Sequence, residues 1–146
     1  MHAVNPWASY RSVATQTASP GQLVLMLFDG ALRFMERALT GFGLEDPAES
    51  CETISNNVLR AQAIIHELNL SLNLEQGGDC AATLRRLYDY FDRRLDESNL
   101  KKIPAGIEEV IQRLTVLREA WAQMLQGNTW SPADAAAEKL PTMLAA

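Results

Sequence analysis

Two histidines, two cysteines and one glycine pair are the residues of this chain best suited to chemistry, and their spacing assembles none. A metal held inside a helical bundle calls for Glu-x-x-His pairs on facing helices. No such pair occurs; His2 stands near the start and His66 stands alone in a helical pattern. A phosphate loop needs a glycine-rich turn with a Lys-Ser/Thr ending, whereas Gly77-Gly78 follows a helical run and leads into Asp79-Cys80. Neither Cys51 nor Cys80 has a histidine placed by the helical layout to take its proton. With no nucleophile, acid–base pair or metal set, the expectation is a protein that is not an enzyme and has no catalytic residue, metal or cofactor.

Apolar surface is what the sequence holds in excess. A helix covered on one side needs only about 100° of apolar arc. From Leu23 to Leu39 the apolar residues span more than half the circumference, and Asp29, Arg33, Glu36 and Arg37 fill the remainder. Such a helix is either central to the fold or partly reserved for a partner. A second surplus comes from Leu59, Ala63, Leu70 and Leu74, which cluster opposite the core stripe of the next helix. Contiguous apolar patches larger than a few hundred Å² rarely stay bare on a monomer without a binding role. Leu23, Leu27, Leu59, Ala63, Leu70 and Leu74 are therefore the candidate groove for an amphipathic segment anchored at spacings of three and four. The competing reading packs them beneath the N-terminal segment or a fifth helix. A cover that the partner displaces satisfies both.

The elements that position these residues are helices. Ser19-Pro20-Gly21-Gln22 carries a capping box with proline at the first helical position, which predicts a helix ending near Gly41-Phe42-Gly43. The second runs from about Pro47 to Asn73, with Ile54, Val58, Ala61, Ile65, Leu68 and Leu72 as its core stripe. The alternation Leu68, Leu70, Leu72, Leu74 also fits a strand, but the helical stripe before it and the lack of a strand partner count against one. Gly77-Gly78 breaks the helix and Asp79 can cap a third, to about Ser98, with Cys80, Leu84, Leu87, Tyr88, Phe91 and Leu95 inward. Its other side carries mixed charges, which read as a solvated face. Pro104 opens a fourth, to about Leu125, with Ile107, Val110, Ile111, Leu114, Leu117, Trp121, Met124 and Leu125 inward. Ser131-Pro132 with Asp134 can start a short fifth helix through Leu140, or that tail is frayed. Trp7, Tyr10 and Val13 recur every third residue, so Met1 to Thr17 is either a mobile tail or a segment docked on the domain.

Four amphipathic helices with short connections predict an all-α, up-down-up-down four-helix bundle. It forms a single domain over 1–146: 1–18 irregular, 19–126 the core, 127–146 tail or short helix. A chain of 146 residues with 47% apolar content can build such a core unaided. The formal charge of −5, without a basic run, argues against nucleic acid or an anionic membrane surface as partner. No stretch reaches the roughly 18 apolar residues of a membrane span, and Met1 to Ala18 lacks the order of a secretory signal. The expected location is the cytoplasm. Cys51 and Cys80 fall near opposite ends of a bundle about 30 Å long, beyond the ~7 Å a disulfide tolerates, and read as reduced core or boundary residues.

Several ordered motifs carry a family resemblance. TASPGQLVLMLFDGALRFMERA, Thr17 to Ala38, resembles the opening of the flagellar export chaperones of the FliS type. AQAIIHELNLSLN (Ala61 to Asn73), LYDYFDRRLDESNLKK (Leu87 to Lys102) and LREAW (Leu117 to Trp121) are similar to the family's later motifs, so the resemblance spans roughly Tyr10 to Leu125. It implies an antiparallel helical bundle in the cytosol that binds the disordered C-terminal region of flagellin, blocks premature polymerisation and assists delivery to a component of the flagellar export gate. Tyr10 is implied to cover the flagellin groove in the free chaperone. Phe28 stands where tyrosine is common in the family, and Ser98 where alanine is common. The alternative reading of the surplus apolar face is a helical adaptor or dimerisation module for another folded protein; the expected state is a monomer or weak homodimer.

Overall fold

The structure, a computed structural model, describes residues 19–127, the side chains of Leu74 and Gln76 aside. These residues form four helices: α1 (Pro20–Gly41), α2 (Pro47–Leu70), α3 (Leu74–Lys101) and α4 (Ala105–Leu125). Connections as short as 42–46, 71–73 and 102–104 force neighbours to run antiparallel. The pairings agree. Gly30 of α1 faces Ile64 of α2 and Gly41 faces Ile54, while Trp121 near the end of α4 donates its indole N–H to the Gly21 carbonyl at the start of α1 at 2.8 Å. Each helix packs on two neighbours, in the cyclic order α1, α2, α3, α4. This is the expected four-helix bundle.

Local chemistry sets the helix ends. Ser19 Oγ accepts the Gln22 backbone N–H at 3.2 Å, and Gln22 Oε1 accepts that of Ser19 at 3.3 Å, which completes the capping box. Asp46 caps α2 by accepting the Glu49 N–H at 3.1 Å. At the start of α4, Pro104 makes no side-chain cap, and Ser98 Oγ, reaching across from α3, accepts the Ile107 N–H at 3.1 Å instead. Ser98 thus supplies a cap from the neighbouring helix.

Three boundaries differ from the sequence expectation. α2 stops at Leu70 and not at Asn73: the Ser71 N–H still donates to the Glu67 carbonyl at 3.0 Å, but the Ser71 hydroxyl takes the Leu68 carbonyl at 2.7 Å and the Leu72 N–H turns to the Asn69 carbonyl at 3.2 Å, so the ladder of four-residue bonds ends there. α3 begins at Leu74 with a short helical turn, then kinks at Gly78 (φ 54, ψ −130), a backbone position open to glycine alone. It then runs on to Lys101, past Ser98.

The core is built from the predicted stripes. Ile54, Val58, Ala61, Ile65 and Leu68 of α2, Leu87, Tyr88, Phe91 and Leu95 of α3, and Ile107, Val110, Leu114 and Leu117 of α4 are buried. Leu72, Leu84, Ile111 and Trp121 pack half-buried against them, whereas Leu125 is exposed. α1 contributes Phe28, Ala31, Met35 and Ala38. It is not a central helix: it packs on α2 and α4 like any corner of the bundle, and its residues from Leu23 to Leu27 are only half-buried. The Trp121 ring meets Phe28 edge-on, centroids 6.4 Å apart.

Polar links around the rim fix the register of the pairs. Arg118 of α4 donates through Nε and Nη2 to the Asp29 carboxylate of α1 at 2.8 and 3.4 Å. Gln62 and Asn69 of α2 donate to Asp96 and Asp89 of α3 at 2.7 and 3.0 Å. Between α3 and α4, Glu109 accepts from the Tyr90 hydroxyl, Arg94 Nε and Arg113 Nε at 2.6, 2.7 and 2.8 Å.

Candidate functional site

On α2 the core stripe and the second apolar stripe lie on opposite sides, as the sequence expectation requires. Leu59 and Leu70 are 58% and 63% exposed, and Ala63 between them is also exposed. At about 100° per residue these three fall within roughly 40° of arc and form an outward ridge, with the exposed His66 on the same face between Ala63 and Leu70. Burying such side chains would gain about 25 cal/mol per Å² of apolar surface removed from water. Leu59, in the middle of the helix, and Leu70, at its last position, forgo that gain.

Leu23 and Leu27 are half-buried on α1. Seven residues on, Gly30 and Phe34 share their side of the helix and face Ile64 and Arg60 of α2. Leu23 and Leu27 therefore line the α1 side of the α1–α2 seam. The structure brings five of the expected residues onto this pair of helices. Leu74 is the exception: it opens α3 beyond the turn at Ser71 and does not continue the α2 ridge, because α2 ends four residues earlier than a stripe through Leu74 needs. Tyr10, with Trp7 and Val13, and the expected fifth helix from Ser131 to Leu140, lie outside the described residues.

Sequence reasoning missed two features. Phe34, read as one more apolar residue of α1, has the guanidinium carbons of Arg37 and Arg60 at 5.5 and 5.8 Å from its ring centroid. Arg37 is visible from sequence as a neighbour three residues on. Arg60 is not, since only the antiparallel pairing of α1 with α2 sets it over that ring. At the bundle end that holds both the α1–α2 and α3–α4 connections, Leu44, Leu100 and Ile103 are exposed, Leu100 by 85%. The sequence had marked that stretch only as a linker.

Glu109 and Cys80 are titratable groups shifted by their surroundings. Burial raises the Glu109 carboxyl, but the hydrogen bonds from Tyr90, Arg94 and Arg113 outweigh it and hold the group below the usual carboxylate range. Burial pushes the half-buried Cys80 thiol up, away from reactivity. Cys51 is exposed and not a core or boundary residue: it falls on the same side of α2 as Val58, but in the first turns of the helix, before its first buried residue, Ile54; both cysteines are free. Among the described residues no cluster of His, Cys, Asp or Glu is arranged to hold a metal ion. No described helix is long and apolar enough to cross a membrane.

Comparison with known proteins agrees with this architecture. The family model described as "Flagellar protein FliS" matches residues 3–128. The flagellar secretion chaperone FliS of Bacillus subtilis (strain 168) is 36% identical over 122 residues, 84% of this chain and 87% of the relative. The protein of the same description from Salmonella typhimurium is 39% identical over 111 residues, 76% of this chain and 80% of the relative. That of Escherichia coli (strain K12) is 32% identical over 130 residues, 86% and 93% of the two chains. With a match across most of its length and a fold of four antiparallel helices, the chain belongs to the FliS family of flagellar proteins.

Proposed function

We propose that this protein is a cytosolic flagellar export chaperone that binds the disordered C-terminal region of flagellin, keeps it from polymerising early and helps hand it to the export gate. Family membership supports the chaperone role. The observation that carries the site is the solvent-exposed ridge of Leu59, Ala63 and Leu70, together with the seam lined by Leu23 and Leu27. An unfolded client segment that turns helical along this ridge buries its own apolar face and the ridge together, which offsets the entropy of ordering it. Tyr10 is the proposed cover of the groove in the free protein.

Calorimetric titration with full-length and C-terminally truncated cognate flagellin tests the reading. One-to-one binding that needs the flagellin C-terminus, with a large negative heat-capacity change, is expected from coupled folding and apolar burial. Binding unaffected by the truncation overturns it. A concentration-dependent dimer indifferent to flagellin would support the adaptor in its place. Leu70→Glu should melt like the parent protein yet bind flagellin weakly, since a carboxylate in a dry groove loses hydration without a partner. Intact binding by the folded variant moves the site off this ridge.

A further inference from the structure

Around Phe34 the surface has a chemistry that an apolar groove alone does not use. Arg37 and Arg60 approach this one half-buried ring from two different helices, and Arg33 lies one helical turn before Arg37. All three arginines are exposed. Among the described residues none of the three has an ion-pair partner, whereas Arg94, Arg113 and Arg118 each hold a carboxylate within 3.0 Å. Bringing like charges together without a counter-ion is unfavourable, and the ring's electron-rich face compensates only in part. The cluster stands out in a chain of net charge −5. Arg60 directly follows Leu59, so the positive cluster borders the apolar ridge.

From this juxtaposition we infer that the α1–α2 face is a docking surface for an amphipathic protein segment bearing carboxylates on one flank, whose apolar side lies on Leu59 and Ala63 and whose acidic side meets Arg33, Arg37 and Arg60. Charge complementarity selects this occupant. Guanidinium forks match carboxylate geometry. A nucleic acid would face three positive charges on a protein that repels polyanions overall. The inference concerns what chemistry the face selects, and it stands whether or not flagellin supplies the segment.

The test uses two synthetic amphipathic peptides with the same leucines at helical spacing, one with glutamate and the other with glutamine along one flank. Each is titrated into the full chain by fluorescence anisotropy. The glutamate peptide should bind more tightly to the parent protein, and that preference should fade as salt rises, because exposed charge pairs are screened. The triple variant Arg33→Gln/Arg37→Gln/Arg60→Gln should lose about tenfold in affinity for the glutamate peptide, as three exposed ion pairs together allow. It should bind the glutamine peptide unchanged. Equal affinity for the two peptides, or no loss in the triple variant, overturns the inference. So does tighter binding of a single-stranded oligonucleotide than of the glutamate peptide. If the triple variant melts early, Arg37→Gln and Arg60→Gln are titrated singly, each expected to lose about two- to threefold. Because flagellin is absent from these titrations, a failure of flagellin binding and a failure of this inference are read separately.

Discussion

Replacing Gly106 by alanine sets two physical rules against each other. In a helix interior alanine is favoured over glycine by about 0.8–1 kcal/mol, so propensity alone predicts a more stable α4. The structure predicts the reverse. Gly106 is buried in the first turn of α4, and a Cβ there would collide with Ser98 Oγ and stand 2.6 Å from the Arg94 carbonyl oxygen, a main-chain atom of α3 that cannot turn aside. Relief requires α3 and α4 to part. Such overpacking costs about 1–3 kcal/mol, and parting also lengthens the bond from the Ile107 N–H to Ser98 Oγ, worth about 1 kcal/mol as a cap. After the propensity gain is subtracted, a net loss of about 2 kcal/mol remains, or a fall of roughly 5–10 °C in Tm for a domain of this size. Thermal and urea melts followed by far-ultraviolet circular dichroism measure it. A double-mutant cycle with Ser98→Ala sharpens the test: with the blocking oxygen gone, Gly106→Ala should cost less than in the parent background. A Gly106→Ala protein as stable as the parent, or more so, would refute the close approach of α3 and α4.

Phe91 is fully buried, so Phe91→Asp places an unpaired charge in the core and should abolish cooperative melting; normal melting would overturn the inward placement of this α3 face. Asn57 is buried on α2, its Nδ2 donating to the Thr53 carbonyl at 2.8 Å while its Oδ1 has no hydrogen-bond partner among the described residues. Asn57→Leu should therefore raise stability by about 1 kcal/mol, readable as a higher urea midpoint, since an unsatisfied buried oxygen is replaced by apolar contact. The Glu109 carboxyl is held below its ordinary value of 4.5 when folded. The stability it contributes is complete above the unfolded pKa and is lost as pH falls through the depressed folded one. Melts from neutral pH down through that window should show Glu109→Gln with a shallower acid decline than the parent; parallel declines would show that the Tyr90–Arg94–Arg113 cluster does not favour the ionised carboxylate.

Composition and periodicity were enough for the helical bundle. The capping box at Ser19, the stripe from Ile54 to Leu68 and that from Leu87 to Leu95 each depend on neighbours within a few residues, and local chemistry of that kind is written directly in the chain. The outward ridge of Leu59, Ala63 and Leu70 was legible for the same reason, since one helix with two opposed apolar stripes can turn only one of them inward. The register between paired helices was not legible. Gly41 reads in the sequence as a helix stop, yet in the fold an added Cβ would lie 2.8 Å from Ile54 Cγ1, so its hydrogen permits the close approach of α2. Ser98 reads as a polar residue late in α3, and only the antiparallel docking of α4 makes it a cap for another helix. Leu74 seemed to extend the α2 ridge until the bonds of the Ser71 hydroxyl and the Leu72 N–H ended that helix at Leu70. The two guanidiniums over Phe34 come from residues 23 positions apart, Arg37 and Arg60, and their meeting is set by the register of α1 against α2. A one-dimensional pattern fixes which face of a helix is apolar; which atom that face meets depends on how far the helix slides and turns against its neighbour, and packing of the whole bundle decides that.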